Sequence, residues 1–240
     1  MNHRLLFAHR AGAAARRRLA LGAVAMAVLT LAACAAGPND VQKLSGPEIV
    51  SAAARALSSA GSYRIEATST VAGNPGSITF DVAGQHQGEG KFTSAAISFQ
   101  AEEMNGIDYF RSTTLWSQFG GASLQADLGN RWVYIAASSS TAAELTQAFT
   151  SLTSPKQLAL ELTKPAPTAV RGRGGVFAGQ PAVAVNEPPG GVLYVATTGP
   201  AYPLGWVRPG VGSVTLRDFG QRFRFRVPQK PLNLAAILAG

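Results

Sequence analysis

The chain is 240 residues long, 46% hydrophobic and 14% charged, well below the roughly 25% charged residues of a typical soluble domain. Its one long apolar run, Leu19 to Leu31, falls short of the roughly 20 residues a bilayer span needs, which excludes a polytopic membrane protein. The net charge of +8 includes five arginines that precede this run (Arg4, Arg10, Arg16, Arg17 and Arg18), so the remainder carries no general nucleic-acid footprint.

Residues 1–33 read as a signal segment: a basic stretch, the apolar run, then small residues at a boundary. The arginine pair Arg17-Arg18 lacks the flanking Ser and Lys of twin-arginine export, which leaves the export route open. Leu31-Ala32-Ala33-Cys34 resembles the bacterial lipobox, and Cys34 is the only cysteine in the chain. An ordinary signal with an incidental cysteine is the alternative. The lipobox resemblance implies that Cys34 is lipidated with diacylglycerol and palmitate after cleavage before it. Two acyl chains hold a protein at a membrane where one binds reversibly, so the expected location is the extracytoplasmic face of the cell membrane. Residues 34–44 read as a lipidated flexible tether, with a reach of roughly 17 Å by random-coil scaling.

The domain then runs over 45–238. Ser45-Gly46-Pro47-Glu48 predicts a capped helix start, Ile49, Ala53, Ala56, Leu57 and Ala60 its apolar stripe, and Gly61 its stop. From Ser62 the period is two: Tyr63 to Val71 and Ile78 to Val82 predict strands about a turn at Gly73-Asn74-Pro75-Gly76. A third run spans Phe92 to Phe99, and Asn105-Gly106 predicts a hairpin before Ile107–Thr113. After a short apolar segment at Gly129–Ile135, Thr141–Leu152 and Lys156–Leu162 predict helices. Strands are expected at Ala169–Phe177, Ala182–Val185, Val192–Ala196, Leu204–Val207, Val214–Phe219 and Phe223–Val227. The charge is uneven, with six basic and ten acidic residues over 34–154 against ten and three over 155–240. That pattern fits a surface facing anionic headgroups or simply solvated strand faces.

Catalytic chemistry is sparse. His86 is the only histidine beyond the signal segment, in the turn-like Gly84-Gln85-His86-Gln87-Gly88, and reads as solvated. Glu102 and Glu103 are adjacent, so a strand points them to opposite faces, unlike the facing carboxylates of glycoside hydrolysis. Arg171-Gly172-Arg173-Gly174-Gly175 reads as a basic hairpin turn. No phosphate-cradling glycine loop is present. The expectation is a protein without enzymatic activity, metal or cofactor.

A scatter of short motifs carries a resemblance. These are Gly88-Glu89-Gly90, Gly106-Ile107-Asp108-Tyr109-Phe110, Gly129-Asn130-Arg131-Trp132-Val133, Gly191-Val192-Leu193-Tyr194-Val195-Ala196-Thr197-Thr198-Gly199 and Val214-Thr215-Leu216-Arg217-Asp218-Phe219-Gly220. With the lipobox, they make the chain similar to the LppX/LprG family of bacterial lipid-binding lipoproteins, which has a LolA-like carrier fold. The resemblance implies an α+β fold, a strongly curved antiparallel half-barrel covered by helices and enclosing an apolar cavity. It also implies acyl-chain binding and carriage of lipid or lipoglycan across the envelope by a monomer, with an envelope transporter as a partner. The cavity candidates are Phe80, Val82, Phe92, Ile97 and Phe99 on strands and Leu145, Phe149 and Leu152 on a helix. The same residues would equally build a closed core, and periodicity does not separate the two. The alternative function is a non-carrier lipoprotein, a sensory or scaffolding module for a membrane partner.

Overall fold

The computed structural model describes residues 37–71, 74–136, 143, 146–147, 150, 153–164, 166–188 and 190–239. The expected signal segment, Cys34, and most of the expected helix Thr141–Leu152 lie outside the described residues.

Helix α1 (Gly46–Ser58) starts as its capping box predicts. The Ser45 amide donates to the Glu48 carboxylate at 2.8 Å, and Pro47 occupies the first turn. Its stripe of Ile49, Val50, Ala53, Ala54 and Leu57 is buried. Twelve strands follow: β1 (Ser62–Val71), β2 (Asn74–Ala83), β3 (Gln87–Ser94), β4 (Ser98–Met104), β5 (Ile107–Ser112), β6 (Val133–Ala136), β7 (Val170–Phe177), β8 (Gln180–Glu187), β9 (Gly191–Ala196), β10 (Pro203–Arg208), β11 (Gly212–Arg217) and β12 (Leu232–Asn233). Helices α2 (Trp116–Leu128), α3 (Pro155–Thr163) and α4 (Leu234–Ala239) accompany them.

The strands form one curved open sheet in the order β12-β6-β5-β4-β3-β2-β1-β11-β10-β9-β8-β7. Every pairing is antiparallel except β12 with β6. The ends β12 and β7 do not pair with each other, so the sheet is an α+β half-barrel, as expected. Register assigns the faces. Tyr63 lies opposite Val82, Ile65 opposite Phe80, and Ile78 opposite Phe92, which puts the aromatic and aliphatic set on the concave face. Gly90 is needed there: a Cβ at this position would sit 2.2 Å from the Phe80 ring and from the Thr79 carbonyl.

Two apolar clusters fill the concavity. One joins Tyr63, Ile65, Phe80, Val82, Phe110 and Val133 to Leu57, Trp116 and Leu128 of the helices. The other packs Ile49, Val50 and Ala53 of α1 against Val183, Val185, Leu193 and Val195.

Several expectations need correction. The run from Phe92 to Phe99 is two strands, because Ser94 and Ile97 close a tight turn between them: the Ser94 amide donates to the Ile97 carbonyl at 2.8 Å. Residues 74–76 belong to β2 and not to the expected turn. Arg171–Gly175 is no hairpin turn but part of edge strand β7, bulged between Arg171 and Gly174. Phe223–Val227, expected as a strand, has no ladder partner and forms no strand. Helix α2 was not anticipated, since its Gly120-Gly121 break, with non-helical backbone at both residues, interrupts the apolar period.

The segment from Gly37 to Leu44 is also not a free leash. Asn39 donates through its side chain to the carbonyls of Ala196 and Gly199, both at 2.9 Å, Pro38 bridges Thr198, and Val41 is buried. Asn39 and Val41 meet partners distant in sequence, which local composition does not reveal.

Candidate functional site

The concave face carries three inward carboxyl groups among its apolar residues: Glu103, Asp108 and Glu187, all buried. The β4–β5 hairpin sets the first two. Asn105 and Gly106 turn with positive φ (55° and 78°), and the resulting register places Glu103 directly opposite Asp108. The Glu103 carboxylate accepts from the Thr153 hydroxyl and meets His86 Nδ1 at 2.8 Å. His86 is thus no merely solvated turn residue, although more than half of its side chain is exposed. Neither carboxyl oxygen of Asp108 has a hydrogen-bond partner. Burial, followed by the neighbouring Glu103 charge, pushes the Asp108 carboxyl up to about 7.

This cluster does not assemble a hydrolytic triad. A triad needs its hydroxyl hydrogen-bonded to the imidazole, whereas the Thr153 hydroxyl is spent on the carboxylate. No group of three or more metal-ligating side chains occurs among the described residues.

Glu187 serves a different pocket. Along β8, Val183, Val185 and Glu187 share the inward face, so the strand carries a carboxyl into apolar surroundings. Leu158 and Glu161 of α3, Glu187, Leu193, Trp206, Val214 and Leu216 line a cavity of about 240 Å³ between helix and sheet. One Glu187 oxygen accepts from the Trp206 indole N–H at 3.1 Å, and the other has no partner. Burial raises this carboxyl above its usual range, against a lowering by the Trp206 bond. Such a pocket accepts an apolar chain, and the free oxygen accepts one hydrogen bond from a hydroxyl or amine carried on it. Its volume is below the roughly 300–1,000 Å³ of drug-sized sites, which suits a segment of one chain. A second, more open groove of about 480 Å³ lies along the α1–α3 seam, lined by Ala54, Ala159 and Leu160 with Arg55 and Lys156.

The expected cavity residues are placed as follows. Phe80 and Val82 are buried in the larger cluster, Ile97 and Phe99 pack at its margin, and the Phe92 ring stacks on Phe99 at 5.2 Å. The structure therefore gathers these five on the concave face, yet none of them lines the pocket at Glu187. Leu145, Phe149, Leu152 and Cys34 lie outside the described residues. Sequence reasoning missed Glu187, Leu193 and Trp206. The available signal was the alternation Val183, Val185, Glu187, which puts an acid at an inward position.

No family model and no curated protein matches the sequence. Among solved structures, LprF from Mycobacterium bovis aligns with a TM-score of 0.52 over 80% of this chain and 99% of its own, at 12% identity. The fold is that of LprF. The lipoprotein LppX from Mycobacterium tuberculosis gives a TM-score of 0.45 at 11% identity, covering 75% of this chain and 97% of its own. The likeness to LprF lies in the architecture of the sheet. No helix among the described residues is long and apolar enough to cross a membrane.

Proposed function

We propose that this chain is a membrane-anchored lipoprotein that binds an acyl chain of a lipid or lipoglycan on its concave face and carries it across the cell envelope. The observation that carries the reading is the apolar pocket under α3, with Glu187 buried in it and one carboxyl oxygen unpartnered. Loading is driven by apolar burial, at about 0.8 kcal/mol per methylene, and Glu187 fixes the register of a hydroxyl- or amine-bearing chain. Cys34 holds the domain at the extracytoplasmic face of the membrane. The protein acts without catalysis or cofactor, as a monomer that receives and delivers lipid at the membrane or at an envelope transporter.

One observation favours the second reading, a scaffolding or sensory lipoprotein. Phe80 and Val82, expected to face acyl chains, pack among Tyr63, Ile65 and Phe110 in a closed core. Native mass spectrometry of the purified chain separates the two. Co-purifying lipid supports the carrier, and a protein that stays lipid-free after exposure to envelope lipid extract supports the scaffold.

A further inference from the structure

After β11 the chain turns through Asp218 and Gly220, both at positive φ (58° and 76°), and continues from Gln221 to Pro228 with no strand partner. Along this arm the residues alternate. Phe223 and Phe225 are partly buried, with rings 6.3 Å apart, and the Arg64 guanidinium lies 5.7 Å from the Phe223 ring. Arg222, Arg224 and Arg226 point the other way and are exposed.

The nearby carboxylates are already engaged. Arg64 clasps Asp81 and lies 3.6 Å from Asp218, while Arg217 pairs with Glu66 and with Asp218 at 2.9 Å. Among the described residues, none of the three arm arginines makes an ion pair. The alternation of exposed arginines with partly buried phenylalanines places three unneutralised cations on one side of the arm.

The position of the arm says what lies in front of it. Gly37, three residues beyond Cys34, accepts a hydrogen bond from the Gly199 amide at 3.0 Å. Three residues further on, Tyr202 stacks on Phe219 at 4.0 Å, and Phe219 is where the arm departs. Gly37 therefore lies at the same end of the sheet where the arginine row begins.

We propose that Arg222, Arg224 and Arg226 form a docking surface for anionic lipid headgroups, which holds this end of the sheet against the bilayer. The direction of the surface rests on the proposed anchor at Cys34. The charge complementarity rests on the arm alone. A single-stranded nucleic acid suits the arm less well, because such ligands stack on exposed aromatic faces and here both rings are partly buried, Phe223 with the Arg64 guanidinium over it.

The test uses the full chain mixed with vesicles of phosphatidylcholine alone or with phosphatidylglycerol added. Flotation reports attachment, and trypsin cleavage after Arg222, Arg224 and Arg226 reports whether the arm is covered. Cleavage is expected to slow on the anionic vesicles by on the order of tenfold or more at low salt, and to recover at high salt. Flotation with the neutral vesicles reports the anchor separately. A chain that floats only with the anionic vesicles and is protected there still supports the arm. Equal cleavage on both vesicle types, or binding to neither, overturns the proposal. Equal protection by a short RNA without vesicles also overturns it, in favour of a nucleic-acid site.

Discussion

Glu103 and Asp108 face each other across the β4–β5 hairpin, both fully buried on the concave side of the sheet. Glu103 has His86 and Thr153 as partners, and Asp108 has none. Burial, followed by the charge of the facing Glu103, favours the protonated form of Asp108.

The pH dependence follows from Asp108. Its folded pKa, pushed up to about 7, exceeds the unfolded value near 3.9. Between those values the native state holds more protons than the unfolded chain, so stability falls as pH rises from about 4 to 7 and levels off above. Asp108→Asn removes that slope and is expected to raise stability at pH 8 by roughly 2–4 kcal/mol relative to the parent. Urea unfolding of both proteins at pH 5 and pH 8 measures it. A parent more stable at pH 8 than at pH 5 contradicts the assignment.

His86 sits on Glu103 without an adjacent nucleophile, so His86→Ala is expected to leave ester and peptide hydrolysis at the background rate. A parent activity well above background, abolished by this change, would reject the non-enzymatic reading.

Cys34→Ala is expected to release the mature protein from membranes or to leave an unprocessed precursor. The check is detergent-phase partitioning together with the mass of the product. Unchanged partitioning at unchanged mass argues against the anchor.

Gly90→Ala tests the packing of the concave face. The added methyl overlaps the Phe80 ring and a β2 carbonyl, and overpacking of this kind costs about 1–3 kcal/mol or more. A melting temperature equal to that of the parent would show that Phe80 has room to move, as an open cavity allows.

The sequence was most informative where local chemistry dictates structure. The Ser45–Glu48 box, the alternation from Tyr63 to Val71 and the Asn105-Gly106 hairpin all appear in place, because capping and turn geometry depend on a few adjacent residues. The inward phenylalanines were legible from parity alone. Their packing was not: period-two alternation assigns a face but does not say whether the facing volume is filled. The arm at Phe223–Val227 looked like a strand because its alternation is real, whereas a ladder partner depends on the path of the whole sheet. Glu187 was overlooked because its significance depends on Trp206, which the β9–β10 register brings to the neighbouring inward position.

Lipid loading at the pocket under α3 is the central claim, and two tryptophan substitutions test it on one sample set. Val214 is partly buried and lines the pocket, whereas Val82 is fully buried in the packed cluster. Bound lipid by native mass spectrometry and thermal stability are measured together for the parent, Val214→Trp and Val82→Trp. The account predicts lipid in the parent, its loss in Val214→Trp with stability kept, and a loss of about 1–3 kcal/mol of stability in Val82→Trp. A parent that stays lipid-free, or a Val214→Trp protein that carries as much lipid as the parent, would contradict it.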